Sequence, residues 1–381
     1  MKILLVGEFS RLHNSLKEGL LALGHEVILV NNGDGFKNFP ADISIRAAFF
    51  KSKLGNIPRQ IWFRIFKFDL ALLEHGIRFW LISNKLKNFD IVQLINETPI
   101  QTNSKLELFL LKRIFKQNEK VFLMCCGIDY TTVSHMLQQK DRYSVMNSYF
   151  ENIPAAKKQY DFFFDFLTKS HQKIQQFLYQ NISGVIASDL DYVAPLTANE
   201  KYLGMVANPI NIDKIGNVET TISGKISIFL GINSGNSYTK GVSFFEKALA
   251  IIQEKYPHLV EIKITTDIPY ADYQKYFEKA NIILDQVYGF DQGFNALEAM
   301  SKGKVVFTGA ETEFLKHYNL KEDEVAINAL PDVDYLVEKL SYIIENPSEI
   351  ERISKNAVQF INKEHHYVNQ AQKYLTLWFQ S

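Results

Sequence analysis

The chain reads as an α/β protein of two doubly wound domains, each a parallel sheet covered by helices on both faces. Three observations predict this. Short apolar runs alternate with helix-period stretches through both halves of the sequence. The runs are apolar throughout rather than alternating, as expected of strands buried on both faces. A length of 381 residues exceeds what a single core commonly serves, so two domains are expected.

The elements follow in order. Residues 2–7 make a first strand that ends in Gly7. A helix over 13–23 places Leu16, Leu20 and Leu23 on one face, and Gly24 stops it. Val27-Ile28-Leu29-Val30 is the next strand, closed by the turn-rich Asn31-Asn32-Gly33-Asp34-Gly35. Strands are expected at 90–96, 120–127 and 184–188, with helical stretches between them. The second half repeats the grammar, with strands at 226–231, 261–266, 281–286, 304–308 and 324–328. Its helices fall near 241–254, 270–279 and 293–302, with more beyond Asp332. Asn208-Pro209-Ile210-Asn211 and the polar stretch 217–224 suit a hinge between the halves.

Composition narrows the function classes. The 42 Lys and Arg balance the 42 Asp and Glu, which gives no electrostatic argument for nucleic acid as a partner. Hydrophobic residues at 46% and charged residues at 22% describe a soluble globular chain. No apolar run nears the roughly 20 residues of a spanning helix, and the opening run is too short for a signal peptide. Cys125 and Cys126 are adjacent in a strand and point to opposite faces, so a disulfide between them is not expected. A reducing cytoplasm fits this pair. No Cys/His cluster has zinc-ligand spacing, so no metal is expected.

Residues 51–87 depart from the alternation. They hold eight basic residues (Lys51, Lys53, Arg59, Arg64, Lys67, Arg78, Lys85, Lys87) against the acids Asp69 and Glu74. Trp62, Phe63, Ile65, Phe66, Phe68, Phe79 and Trp80 interleave them, and Pro58 suits the first turn of a long helix. Two readings stand: an ordinary helix with a solvated basic edge, and a basic amphipathic helix in peripheral contact with an anionic membrane.

The most informative stretch is 281–309: a buried strand, a loop with Gly289 and Gly293, a short helix and a second buried strand. That order puts a glycine and free helical N–H groups at the carboxyl edge of a parallel sheet, where anions and nucleotides bind. Gly293 permits close backbone approach, and Glu298 in the helix can accept two hydrogen bonds from a ribose diol. The same residues also fit plain helix–sheet packing with a surface glutamate. At the strand ends of the first half, Glu97 and Asp129 are the polar candidates, although such carboxylates also cap helices. The first strand ends Gly7-Glu8-Phe9-Ser10 and lacks the glycine fingerprint of a dinucleotide oxidoreductase.

Leu297-Glu298-Ala299-Met300 followed by Gly303-Lys304-Val305-Val306 resembles the nucleotide-sugar motif of glycosyltransferase family four. Phe229-Leu230-Gly231-Ile232-Asn233 with Tyr238-Thr239-Lys240-Gly241 resembles that family's diphosphate-binding segment. Asn208 to Asp213, Gly24-His25-Glu26-Val27 and the last helix are similar to further landmarks of it. The resemblance implies a GT-B fold, with two Rossmann-like domains facing each other across a cleft. Its domains would be an acceptor domain at 1–205, a nucleotide-sugar domain at 206–364, and a helix at 365–381 crossing back to the first. It implies a retaining glycosyltransferase with no cofactor and no metal, using a UDP or GDP sugar as donor and a saccharide or lipid-linked saccharide as acceptor. The donor residues would be Gly231, Asn233, Lys240, Gly293, Phe294, Asn295 and Glu298, with Lys240 and Asp291 nearest the chemistry. Gly7, Glu97, Cys126 and Asp129 would lie on the acceptor side. The sequence departs from the motif in three places. Phe290 stands where the family's first glutamate is, Ile232 and Asn233 occupy the neighbourhood of its arginine, and Cys126 replaces a histidine. The setting implied is assembly of a bacterial surface polysaccharide, in the cytoplasm or at the inner face of its membrane. The departures leave open a catalytically inactive GT-B protein that binds a nucleotide or glycan.

Overall fold

The computed structural model describes every residue except Phe36, Asn217, Glu219, Thr220, Ser223 and Ser381. Part of the expected polar hinge, 217–224, therefore lies outside the described residues. Seven strands form the first sheet: β1 (Lys2–Val6), β2 (Glu26–Asn31), β3 (Ile43–Ser44), β4 (Ile91–Leu94), β5 (Val121–Cys125), β6 (Gly184–Ala187) and β7 (Tyr202–Met205). Their spatial order is β3-β2-β1-β4-β5-β6-β7. Five form the second: β8 (Ile226–Ile232), β9 (Val260–Thr266), β10 (Ile282–Leu284), β11 (Val305–Thr308) and β12 (Ile327–Asn328), in the order β12-β11-β10-β8-β9. Every pairing in both sheets is parallel.

Alternation within each buried strand builds two cores per sheet. In the first, Leu4, Val6, Val92, Leu94 and Leu123 face Leu110, Leu111 and Ile114 of the Ser104–Gln117 helix and Ile174 and Leu178 of the Lys169–Asn181 helix. Ile3, Leu5, Phe122 and Met124 face Leu12, Leu16 and Leu20 of the Leu12–Ala22 helix on the other side. The final helix, Tyr367–Gln380, joins that second face through Ala371, Tyr374, Leu375 and Trp378. Trp378 is fully buried and donates its indole N–H to Gln93 Oε1 at 3.0 Å, so a polar atom in the middle of β4 is satisfied. The second sheet repeats the plan, with Ile228, Ile282 and Phe307 against the Val242–Lys255 helix and Phe229, Ile283 and Val306 against the Phe294–Ser301 helix.

The chain passes between the sheets near residues 206–210 and again at 365–367, and the two crossings are tied together. Ile210 N donates to His365 O at 2.8 Å, and Tyr367 N to Ile210 O at 3.1 Å. The buried His365 ring bonds Asn208 O through Nδ1 at 2.9 Å.

Three expectations need correction. The strands β3 and β7 had no clear sequence signal, because β3 has two residues and β7 is an edge strand that is only half buried. Residues 51–87 form two helices, Lys53–Phe66 and Leu70–Ile82, rather than one long one. Lys67 in the left-handed region (φ 53°) ends the first, and the Asp69 carboxylate caps the second through Ala71 N. Pro58 lies inside the first helix and not in its first turn, since Ser52 caps that helix upstream by accepting from Gly55 N.

Residues 142–165 bridge the two halves, which sequence periodicity did not foretell: Met146, Ala156, Tyr160 and Phe163 cluster with Val133 of the first half, while the stretch also reaches the second. Tyr143 is buried in the core of β8 and β10 and stacks on Phe290 with ring centroids 5.2 Å apart. Its hydroxyl donates to Glu311. Arg142 pairs with Glu311 at 2.9 Å and Glu313 at 2.7 Å, with its guanidinium 5.0 Å from the centre of the Phe290 ring. Gln159 bonds Ser237 and the backbone of Tyr238. Close by, Asp191 accepts from Phe290 N at 2.7 Å and Asp291 from Leu190 N at 3.2 Å, which laces the two halves reciprocally.

Burial raises the proton affinity of this junction. It pushes Asp191 up to about 7 and Asp291 up to about 6, and it raises Asp189, which its neighbours Asp191 and Asp291 raise further. A carboxyl whose affinity is raised on folding stabilises the fold below its unfolded value, and that stabilisation is lost as pH climbs through the folded value. For Asp191 the window runs from its ordinary value of 3.8 to about 7. Asp191→Asn is therefore expected to flatten the loss of thermal stability between about pH 4 and pH 7, measured by differential scanning calorimetry across that range. Trp378→Ala is expected to cost about 3–5 kcal/mol through the cavity it leaves and the Gln93 amide it strands. Urea unfolding followed by circular dichroism checks this, with the loss confined to the transition of the first sheet.

Candidate active site

Parallel pairing brings every strand of the second sheet to a common carboxyl edge, where β10 ends in Leu284 and Asp285 follows. Asp285 is the centre of that edge. It is buried and accepts from Lys240 Nζ at 2.7 Å, from Asn295 Nδ2 at 3.2 Å and from Thr308 Oγ1 at 3.4 Å. Tyr273 OH in turn donates to Asn295 Oδ1 at 3.0 Å. A buried carboxylate with three donors is well satisfied, and it fixes the ammonium of Lys240 and the amide of Asn295 side by side. Sequence reasoning missed Asp285. The only available signal was an acid closing an otherwise apolar strand.

The Phe294–Ser301 helix begins beside this cluster. Gly293 is its N-cap, has extended backbone and offers no side chain to the first N–H groups. Nothing lies within 4 Å of where a Cβ on Gly293 would stand, so the approach to the helix N-terminus is open. Uncapped N–H groups, a helix dipole and a neighbouring ammonium are what a diphosphate requires. Glu298, one turn further, is about a third exposed and pairs with Lys302 at 3.1 Å.

The other expected donor residues have structural work. Gly231 leaves room for the Tyr273 ring, whose edge would stand 2.3 Å from an added Cβ. Asn233 closes its own turn by accepting from Gly235 N at 2.9 Å. Asp291 is buried with its carboxylate turned to the junction, where it accepts from Leu190 N, and does not reach the Asp285 cluster through any hydrogen bond among the described residues. Phe290, at the position of the family's first glutamate, is held in the Arg142–Tyr143 stack. Gly241 caps the Val242–Lys255 helix in the left-handed region (φ 65°), and a Cβ there would strike Val287 at 2.3 Å. That fit fixes the direction in which Lys240 leaves the loop.

On the carboxyl edge of the first sheet, Gly7 (φ 87°) sits against Ile95, and its carbonyl accepts from His13 Nδ1 at 2.8 Å. Glu8 is buried at the start of the Leu12–Ala22 helix, accepting from Asn14 N at 2.9 Å and Asn14 Nδ2 at 2.6 Å, and burial pushes it up to about 8. Glu97 and Asp129 both serve the start of the Tyr130–Met136 helix. Glu97 accepts from Tyr130 N at 3.0 Å and Thr131 Oγ1 at 2.5 Å, while Asp129 forms a capping box with Thr132. Burial, and then Asp129, raises Glu97, and burial pushes Asp129 up to about 6. The Cys126 thiol is half-buried and is raised by burial and then by Asp189, so it stays protonated and is a weak nucleophile.

Among the described residues, no group of three His, Cys, Asp or Glu side chains is disposed to hold a metal ion. A cavity of about 780 Å³ opens at the opposite, amino edge of the second sheet, lined by Lys225, Lys263, Lys279, Lys304, Glu261 and Glu278 among others. It lies away from the Lys240–Asp285 cluster and has no helix N-terminus of that kind in its wall.

Comparison with known proteins follows this geometry. Residues 237–376, which include Lys240, Asp285 and the Phe294–Ser301 helix, match a family model described as glycosyl transferase-like. A search of curated proteins by sequence finds no match. Among solved structures, sucrose-phosphate synthase from Thermosynechococcus elongatus is similar at a TM-score of 0.62 and 14% identity, covering 100% of this chain and 98% of that one. HepE from Anabaena, solved in complex with UDP-glucose, is similar at 0.58 and 11%, covering 100% of both chains. UDP-GlcNAc 2-epimerase from Neisseria meningitidis, bound to UDP-GlcNAc, is similar at 0.51 and 12%, again over 100% of both. At such identities the likeness is one of fold. The chain has the GT-B fold, and residues 237–376 of it match a glycosyl transferase-like domain.

Proposed function

We propose that the protein is a glycosyltransferase that moves a sugar from a nucleoside-diphosphate donor, of UDP or GDP type, to a hydroxyl acceptor with retention at the anomeric carbon. The observation that carries this reading is the uncapped N-terminus of the Phe294–Ser301 helix beside Lys240, Asn295 and Asp285. When the bond from the anomeric carbon to the diphosphate breaks, its electron pair passes to the diphosphate oxygen. Lys240 and the helical N–H groups then meet the growing charge, in place of a metal. Glu298 would leave Lys302 to accept the ribose hydroxyls. The family match over 237–376 supports the reading because it spans these residues. The acceptor would enter at the carboxyl edge of the first sheet, near Gly7, Glu97, Cys126 and Asp129. In this reading Glu97 and Asp129 position the Tyr130–Met136 helix. Asp291 orients the loop that bears Gly293. A saccharide or lipid-linked saccharide acceptor and a role in bacterial surface polysaccharide assembly, in the cytoplasm, belong to the same proposal.

One observation favours a second reading. Phe290, packed between Tyr143 and Arg142, leaves no carboxylate at the position where the family contacts the donor sugar. A GT-B protein that binds a nucleotide or glycan without transfer would fit that loss. Calorimetric titration with UDP and GDP in EDTA, followed by a donor hydrolysis assay, separates the two. Transfer predicts saturable binding of one nucleotide, weakened about ten-fold or more, near 1.4 kcal/mol, by Lys240→Ala and by Glu298→Ala. It also predicts slow hydrolysis of the matching nucleotide sugar. Binding without hydrolysis or transfer favours the second reading, and absence of binding to either nucleotide removes transfer from a UDP or GDP sugar and leaves the glycan-binding form of the second reading.

A further inference from the structure

We infer that the Lys53–Phe66 helix and the helix after it form a docking surface for an anionic lipid bilayer. A helix in a globular protein ordinarily buries its apolar stripe. Here Leu54, Ile57, Ile61, Trp62, Ile65 and Phe66 recur at three- and four-residue spacing and stay in solvent, with Leu54 83% exposed and Ile57 and Ile65 each 65% exposed. The buried residue of this helix is Gly55, pressed against the backbone of Phe49 and Phe50. Phe49 is itself exposed, and the Leu70–Ile82 helix adds exposed Ile77, Trp80 and Leu81.

Charge selects the occupant. The two acids of 51–87 are already matched, Asp69 by Arg59 at 2.6 Å and Glu74 by Arg78 at 2.8 Å. Lys51, Lys53, Arg64, Lys67, Lys85 and Lys87 make no ion pair among the described residues. The whole chain is neutral, so this local excess of cations is a segregated patch rather than a reflection of composition. Apolar side chains and aromatic rings beside unmatched cations are the pattern of a helix lying in the interface of an anionic membrane. A second copy of this chain would instead bring the same cations against each other. No described helix is long and apolar enough to cross a bilayer, so the contact is peripheral.

The surface follows β3 directly and so starts from the carboxyl edge of the first sheet, the edge that bears Gly7, Glu97 and Cys126. If the proposed transfer holds, bilayer contact would bring a lipid-linked acceptor to that edge. The docking itself does not depend on that reading.

The test uses the full chain and phosphatidylcholine vesicles with and without phosphatidylglycerol. Two of the three tryptophans, Trp62 and Trp80, lie on the surface, while Trp378 is buried. Anionic vesicles are expected to shift the tryptophan emission to the blue and to carry the protein in flotation, with neutral vesicles doing so far less. Replacing Lys53, Arg64 and Lys67 together by Glu is expected to weaken the anionic binding about a hundred-fold. Ile61→Ser with Ile65→Ser is expected to abolish the blue shift. Both variants should keep the melting temperature and nucleotide binding of the parent, since their side chains are exposed. Equal binding to both vesicle types, or none to either, overturns the inference. So does a dimer in light scattering that the Ile61→Ser, Ile65→Ser variant dissolves while no lipid is bound.

Discussion

A parallel sheet must be re-entered from the same edge by every strand, so its loops and helix N-termini gather at the carboxyl edge. The two sheets of this chain obey that constraint separately, and the rest of the molecule follows from it. The edge of β10 can end in a buried acid because Lys240 from the loop after β8, Asn295 from the helix after β10 and Thr308 from the end of β11 all meet it there. Asp285 then does for the site what no loop residue could do alone. It fixes a cation next to an open helix terminus, the kind of preorganised arrangement that stabilises developing negative charge.

The halves are joined by few covalent crossings and a polar junction. Asp189, Asp191 and Asp291 crowd together; Asp191 and Asp291 each accept from a backbone N–H of the opposite half, and Asp189 accepts from Asp191 N in its own. Desolvation raises the proton affinity of all three, and charge repulsion adds to it for Asp189 and Asp191, so the stability of the junction falls as pH rises and they ionise. The Arg142–Phe290–Tyr143 stack flanks the same contact with a guanidinium and two aromatic rings. A junction made of hydrogen bonds and a cation over a ring is closer in kind to an interface between domains than to a continuous core.

How much of this was legible in the sequence varies with the distance over which the cause acts. The strands and their helices were legible, because burial on two faces leaves an uninterrupted apolar run and a Gly24 or Gly7 at its end. Gly293 and Glu298 were legible as a pattern because their spacing is set within one βα unit, and Lys240 with Gly241 because theirs is set within another. Asp285 was not, because its partners come from residues 240, 295 and 308 and its one local mark is an acid at the end of an apolar run. The reach of 142–165 from the first half to the second was hidden for the same reason: Tyr143 and Phe290 meet only in three dimensions. Glu97 and Asp129 read equally well as acceptor ligands or caps, and the structure shows both serving a helix start. The basic stretch at 51–87 announced its composition but not its break at Lys67, which depends on one left-handed residue and the Asp69 cap.

The claim that matters most is that the anion site is the Lys240–Asp285 cluster at the carboxyl edge of the second sheet. A crystal structure of the protein with UDP or GDP tests it directly. The account predicts diphosphate oxygens on the N–H groups of Phe294 to Ala296, with the Lys240 ammonium turned from Asp285 toward them and Glu298 on the ribose. A nucleotide seated instead in the lysine-lined cavity between Lys225 and Lys304, at the amino edge of the same sheet, would contradict it.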